Sequence, residues 1–260
     1  MITSASPSVP SLLGVFAHPD DESLLAGGVL AQRAVAGART GVVTTTWAPD
    51  SIRADDLAEA LAVLGAGRAR MLGYGDARND SSAPGHARLC DAPLDEVIGQ
   101  LVVQLRELRP DIVVTHHAIG QLTGHPDHRP THRVTLLAVE AARLAHLYPE
   151  AGAPWQIRAF YAATHPHSGI GELGPLLTGV GKTVLSLPDE YVTTTVDVTP
   201  WAEQKWRAIT AHRGEVARER SLPGLLARLP EDIRRTIIST EHFTRLSPAP
   251  VPSDPHQLTT

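Results

Sequence analysis

One stretch near the start limits what this chain can fold into. Leu12-Leu13-Gly14-Val15-Phe16-Ala17 is a short apolar run that stops at His18-Pro19-Asp20-Asp21-Glu22. A short apolar run closed by a proline reads as a buried strand. Ser23-Leu24-Leu25-Ala26 then opens a helical pattern, so the polar stretch is a strand-to-helix turn. In an open α/β sheet such turns lie at the carboxyl ends of the strands, where ligands bind. A histidine and carboxylates crowded into that turn repel one another and lose hydration unless something binds there. A divalent cation removes both problems.

The rest of the chain repeats the alternation. Arg39 to Thr46 reads as a β-branched strand. A helix follows with Leu57, Leu61 and Leu64 on one face, ending at Gly65. Ala69 to Tyr74 is a third strand, followed by a polar loop over 76–92. Asp91 is placed to cap a helix carrying Leu94, Val97, Ile98, Leu101, Leu105 and Leu108. Asp111 to Thr115 is the fourth strand, and a helix is expected from Pro130 to His146, with Val134, Leu137, Ala138, Ala141 and Leu144 as its stripe. Such alternation predicts a mostly parallel, doubly wound, Rossmann-like α/β sheet flanked by helices, with right-handed crossovers. After Pro149 the pattern weakens to a strand over 155–164, a Gly-rich loop over 168–189, a strand over 191–198 and a helix over 201–212. Residues 1–10 and 247–260 are Ser- or Pro-rich and read as flexible ends around a single domain, 11–246.

A second polar turn answers the first. Gly124-His125-Pro126-Asp127-His128 follows the fourth strand and precedes a helix. Two such turns of one parallel sheet meet in space, and together they offer His18, Asp21 and His128 to one metal. A catalytic zinc takes three protein ligands and keeps a position for water. Two imidazoles and one carboxylate also suit other divalent metals.

Composition narrows the class. The chain has 260 residues, 42% of them hydrophobic, enough for one α/β domain with a sizeable core. No apolar run is long enough to span a bilayer, and the first ten residues show no secretory pattern. The lone Cys90 excludes an internal disulfide, which suits a reducing cytoplasm. A net charge of −5 argues against a nucleic-acid partner. Strand one lacks a G-x-G-x-x-G turn, so a dinucleotide site is not expected, and no G-x-S-x-G points to a serine hydrolase.

The two turns carry A-H-P-D-D-E at 17–22 and G-H-x-D-H at 124–128. In both motifs the chain resembles the LmbE-like, or PIG-L, family of zinc-dependent N-deacetylases, over about Leu12 to Gly214. The resemblance implies the LmbE-like fold, one zinc ion per chain, and hydrolysis of the acetamido group of a small N-acetylglucosamine-type conjugate. It makes Asp20 the general base and His125 the electrophile over the developing oxyanion, with Asp127 orienting His125 or a ligand histidine. Arg53 and Asp76 are candidates to bind a sugar hydroxyl or an anionic group, or else form a salt bridge or cap. A homo-oligomer is compatible with the family, and no membrane insertion is expected. The alternatives are an amidase for a larger acyl group and a non-catalytic metal- or sugar-binding module.

The chain departs from the family pattern in places. Asp56 stands where a glutamate is usual, Thr123 where some relatives carry a tyrosine, and Arg213-Gly214-Glu215 replaces a Ser-Gln pair after His212. Lys205 and His212 match a K-x-x-A-x-x-x-H block and are read as packing and pairing at a helix surface. His116, His117, His165 and His167 are left without a role.

Overall fold

The first strand, β1 (Leu12–Phe16), is buried at every position. Successive side chains of a strand point to opposite faces. Leu13 and Val15 therefore enter one core, and Leu12 and Phe16 the other. A strand buried on both faces belongs in the middle of a covered parallel sheet. It pairs in parallel with β2 (Thr40–Thr46) and with β4 (Ile112–Thr115), Val15 standing opposite Val43 and Thr115. The computed structural model describes residues 9–67 and 69–247. The expected flexible ends lie outside the described residues, apart from residues 9, 10 and 247.

The sheet has seven strands in the order β3-β2-β1-β4-β5-β7-β6. β3 (Ala69–Tyr74) and β5 (Ala159–Ala163) extend the parallel part on either side. β7 (Thr240–Ser247) and β6 (Thr194–Asp197) close one edge as an antiparallel pair. On one face lie α1 (Asp21–Val35), α2 (Ile52–Leu64) and α6 (Ala202–Ala211), whose Leu30, Leu57, Leu61 and Ala208 pack on Phe16 and Val42. On the other lie α3 (Leu94–Leu108) and α4 (His128–Ala142), with Leu101, Leu105, Val134 and Ala138 against Val15, Val113 and Phe160. The strand order turns outward in both directions from between β1 and β4. That switch point opens a crevice at their carboxyl ends, and both polar turns leave the sheet there.

The expected alternation is present, with local differences. α1 begins at Asp21 rather than Ser23. Asp91 lies in a short 3-10 turn, and Pro93, whose fixed φ suits a helix start, precedes α3 instead. α4 starts at His128 and stops at Ala142, short of His146. Leu137 and Leu144 are 43% and 40% exposed; Thr131, Thr135 and Val139 complete the buried stripe. The Gly-rich segment holds α5 (Leu173–Gly179). Beyond His212 come α7 (Arg213–Val216), α8 (Leu222–Ala227), α9 (Glu231–Ile238) and the inserted strand β7. Leu177, Leu225 and Leu226 join Leu122 and Ile209 in a third apolar cluster, of which Leu122 and Leu177 line the crevice. No described helix is long and apolar enough to cross a membrane.

Candidate active site

The turn after β1 is tight and held from several sides. His18 N–H donates to Asp21 Oδ2 at 2.8 Å. Between them Asp20 has φ 138°, a conformation that L-residues rarely adopt and that costs about 1–3 kcal/mol. Surrounding contacts hold it there. Asp20 N–H donates to Glu22 Oε2 at 2.9 Å, and Glu22 Oε1 accepts from His212 Nε2 at 2.8 Å. The Arg53 guanidinium donates to Pro19 O and to Glu215, and lies 3.4 Å from Asp20 Oδ1.

The turn after β4 depends on left-handed backbone. Gly120 and Gly124 have φ 85° and 60°, and a Cβ on Gly124 would sit 2.9 Å from Leu185 Cδ1. The folded-back chain puts Gly120 O 3.2 Å from His128 Nδ1. A carbonyl only accepts, so Nδ1 carries the proton and Nε2 keeps its lone pair. His18 is oriented in the opposite sense. Its Nε2 donates to Asp127 Oδ2 at 3.1 Å, so Nδ1 is left as the acceptor.

The two free lone pairs face each other. His18 Nδ1 and His128 Nε2 are 3.3 Å apart, and the Asp21 carboxylate lies 3.2 Å from the first and 3.4 Å from the second. Acceptors packed so closely need a positive charge among them. A proton is one such charge: burial alone would lower the His18 pKa, yet the Asp127 and Asp21 carboxylates and Asp76 raise it well above normal, so a metal ion at this point would take the place of a proton on Nδ1. His128 and His116 outweigh burial at Asp21 and hold its carboxyl well below the usual range. The donor set suits a metal ion. The sets whose ligand atoms all converge within 4.8 Å are His18 with His125 and His128, Asp21 with His116 and His128, and His18 with Asp76, His125 and Asp127. His116, Asp127 and Asp76 are already engaged. His116 Nε2 accepts Ala17 N–H at 2.9 Å, Asp127 Oδ2 accepts Ala77 N–H at 2.9 Å, and Asp76 Oδ1 accepts Arg78 N–H at 2.7 Å.

Asp20 and His125 line the same cavity, of about 460 Å³. Burial, with Asp21 and Glu215 nearby, outweighs Arg53 and pushes the Asp20 carboxyl up to about 7. His125 Nδ1 accepts the Asp127 N–H at 3.2 Å, which puts the proton on Nε2. Burial and the neighbouring His18 and His128 push the His125 pKa far down, so the ring is neutral. Its edge packs on His18 at 81°.

All the residues singled out in the two motifs therefore come together. Asp127, fully buried, contacts both His18 and His125. Arg53 and Asp76 also reach the cavity, but Arg53 turns its guanidinium to Asp20 and Glu215, and Asp76 lies 3.5 Å behind His18 Nε2. Lys205 and His212 are not surface residues: both are buried, Lys205 on Glu241 at 2.7 Å and His212 on Glu22. His116 is fully buried and stacked on His128 at 4.0 Å, and His165 lines the cavity with a buried, unpartnered Nε2. Gln121 and Lys182, for which sequence reading had no signal, also line the cavity, with Glu215, which stood out only as a departure after His212. They come from loops and short helices without periodicity.

Residues 13–139 match the family described as PIG-L, GlcNAc-PI de-N-acetylase. The chain is 38% identical to the 1D-myo-inositol 2-acetamido-2-deoxy-alpha-D-glucopyranoside deacetylase of Rhodococcus jostii, over 89% of this chain and 90% of that protein. The chain belongs to the PIG-L family. The Thermobifida fusca protein of the same name is 32% identical over 90% of this chain and 92% of its own length. Among solved structures, a conserved protein of Thermus thermophilus superposes with a TM-score of 0.64 at 25% identity, covering 95% of this chain and 99% of that one. The N,N'-diacetylchitobiose deacetylase of Pyrococcus horikoshii also has a TM-score of 0.64, at 20% identity over 91% and 84% of the two chains, and shares the fold.

Proposed function

We propose that the protein is a zinc-dependent N-deacetylase of an acetamido-sugar conjugate, and that His18, Asp21 and His128 hold the metal. The observation that carries this reading is the meeting of two imidazole lone pairs and one carboxylate at 3.2–3.4 Å on a cavity that also holds Asp20 and His125. His18 Nδ1 and His128 Nε2 would hold the ion together with the Asp21 carboxylate, which turns Oδ2 to the first and Oδ1 to the second. When bound, the metal supplies Lewis acidity, lowering the pKa of a water and polarising the amide carbonyl.

The chain's own residues do the rest. Asp20 takes the proton of the attacking water and returns it to the departing amine; a carboxyl near pKa 7 can do both at neutral pH. Arg53, Glu22 and His212 hold that carboxylate and its strained backbone in place. His125 offers a neutral Nε2–H to the oxygen on which negative charge develops. Asp127 keeps His18 in the tautomer that presents Nδ1. The amide named for the Rhodococcus and Thermobifida relatives, on an inositol 2-acetamido glucoside, is the first substrate to offer.

The test is acetate release from that glucoside and from a panel of other N-acetylglucosaminides. Asp20→Asn is run in parallel with zinc counted per chain. Release that falls at least about 10²-fold in the variant, with zinc near one per chain in both, supports the base assignment. Loss of zinc in the variant would make Asp20 a ligand. No release from any acetamido sugar, with zinc bound, would favour a larger acyl amide.

A further inference from the structure

One backbone oxygen orients both histidines of the second motif. Gly120 O accepts from His128 Nδ1 at 3.2 Å and from the His125 N–H at 3.1 Å. Its direction is set by the two dihedrals that flank its peptide plane, ψ of Gly120 and φ of Gln121. Gly120 is left-handed, at φ 85° and ψ 32°. Gln121 is left-handed too, at φ 63°. Glycine adopts that conformation freely, but a glutamine there is strained. The strain cannot pass along the chain, because both flanks are pinned. Gly120 N–H donates to His117 O at 2.9 Å, and Leu122 O accepts the Leu185 N–H at 2.7 Å. The soft element is the Gly120–Gln121 peptide itself.

Turning that peptide over changes only the two dihedrals beside it. Gln121 then returns to negative φ and Gly120 keeps the unusual conformation, the glycine-first pattern of a type II′ turn. The local sequence therefore favours the turned-over form. Gly120 O would leave the His128 ring, and the Gln121 N–H would take its direction. An N–H only donates, so Nδ1 would become the acceptor and the proton would sit on Nε2. A protonated Nε2 has no lone pair to offer beside His18 and Asp21.

The side chain of Gln121 opposes this change. It is 4% exposed, and its Nε2 donates at 3.0 Å to the carbonyl of Ala163, the last residue of β5. Its Oε1 is buried with no partner among the described residues, so the bond to Ala163 is the amide's polar tie. The dihedral φ is the rotation of the peptide plane against the Cβ. With the Cβ tethered to β5, the peptide plane must take up the whole rotation, against both hydrogen bonds to Gly120 O. With the tether cut, the two ends share it. We propose that Gln121 is a positioning residue for His128: its tie to Ala163 O keeps the Gly120–Gln121 peptide turned so that Gly120 O holds the His128 proton on Nδ1 and leaves Nε2 free. The proposal rests on the reading of His128 as a metal ligand and adds a residue that acts on the metal only through it.

Two variants separate the tie from the strain. Gln121→Leu removes the tie and keeps the left-handed strain, whereas Gln121→Gly removes both. The His128 tautomer is read in metal-free protein from long-range proton–nitrogen correlation spectra of isotope-labelled histidine, with the His128 signals assigned by their loss in His128→Asn. Zinc affinity is read by chelator competition. Wild type should carry the His128 proton on Nδ1. Gln121→Leu should populate the Nε2–H form and bind zinc about 10-fold or more weakly. Gln121→Gly should stay closer to wild type in both, although it loses a buried side chain. Simple packing gives the opposite order, so a glycine variant that binds zinc more weakly than the leucine variant overturns the proposal. A leucine variant with wild-type tautomer and affinity overturns it as well. If Gln121→Leu does not fold, Gln121→Met, of similar length and without the donor, takes its place with the same expectations. Wild-type protein that binds no zinc, with the tautomers shifting as stated, would keep the positioning role and remove the metal reading. Zinc bound equally tightly by all the proteins would do the reverse.

Discussion

The buried pair Lys205–Glu241 should behave as one unit, and breaking it should destabilise the fold around the turn after β1. Both side chains are about 2% exposed, and the ammonium lies 2.7 Å from Glu241 Oε1. The same carboxylate accepts Gly28 N–H at 2.8 Å and Val29 N–H at 3.0 Å. It thus ties β7 and α6 to α1, the helix whose first residue is Asp21. Removing one partner of a buried pair strands the other charge, at a cost of about 3–5 kcal/mol. Lys205→Met leaves Glu241 charged with two backbone donors. Glu241→Gln leaves Lys205 without its anion and weakens the hold on α1, adding about 1 kcal/mol. The double variant has no stranded charge and should cost no more than the worse single. The coupling energy is then about 3 kcal/mol, or roughly 6–12 °C in Tm for a chain of this size. Urea unfolding of the four proteins in chelator, followed by tryptophan fluorescence, measures it without metal linkage. Single losses below about 1 kcal/mol, or a double loss equal to their sum, would refute the reasoning.

Three further outcomes follow from the same contacts. Gly28→Ala should destabilise by about 1–3 kcal/mol in urea unfolding, because its Cβ would meet all three side-chain carbons of Val198 at 2.4–2.6 Å. Gly27→Ala, at 3.1 Å from Lys205 Cγ, needs a shift of only a few tenths of an ångström and should cost clearly less, and equal losses would contradict the packing argument. Asp127→Asn should weaken metal binding about 10- to 100-fold in a chelator competition, since the amide no longer holds the His18 tautomer; unchanged affinity would remove Asp127 from the metal's support. Exhaustive chelation should abolish acetate release and one equivalent of zinc should restore it, and full activity in chelator would sink the metal-dependent reading.

The two motifs made much of the site legible before any fold was known. Each lies directly after an apolar strand, and the local rule that such turns sit at a sheet's carboxyl edge brought His18, Asp21, Asp20, His125, Asp127 and His128 to one place. Residues whose partners are distant in sequence were misread. Lys205 and His212 looked like surface residues because a helix seen alone cannot show that β7 and α1 bury its face. β7 itself, Thr240-Glu241-His242-Phe243-Thr244-Arg245-Leu246-Ser247, is too polar to announce itself and is held by pairing with β5 and β6. Leu137 and Leu144 fit a helical stripe but stand outside it, since α4 ends earlier and tilts threonines into the core.

The sequence by itself determined the alternating α/β plan, the two polar turns and the chemistry of their side chains, because strand and turn signals act over a few residues. Only the tertiary structure decided which nitrogen of each histidine is free, since Gly120 O and Asp127 choose the tautomers from 8 and 109 residues away. It also turned Arg53 from a candidate ligand of sugar into the partner of Asp20. And it brought Arg78, Lys182 and Arg218 to the lining of one cavity, where loops without periodicity meet.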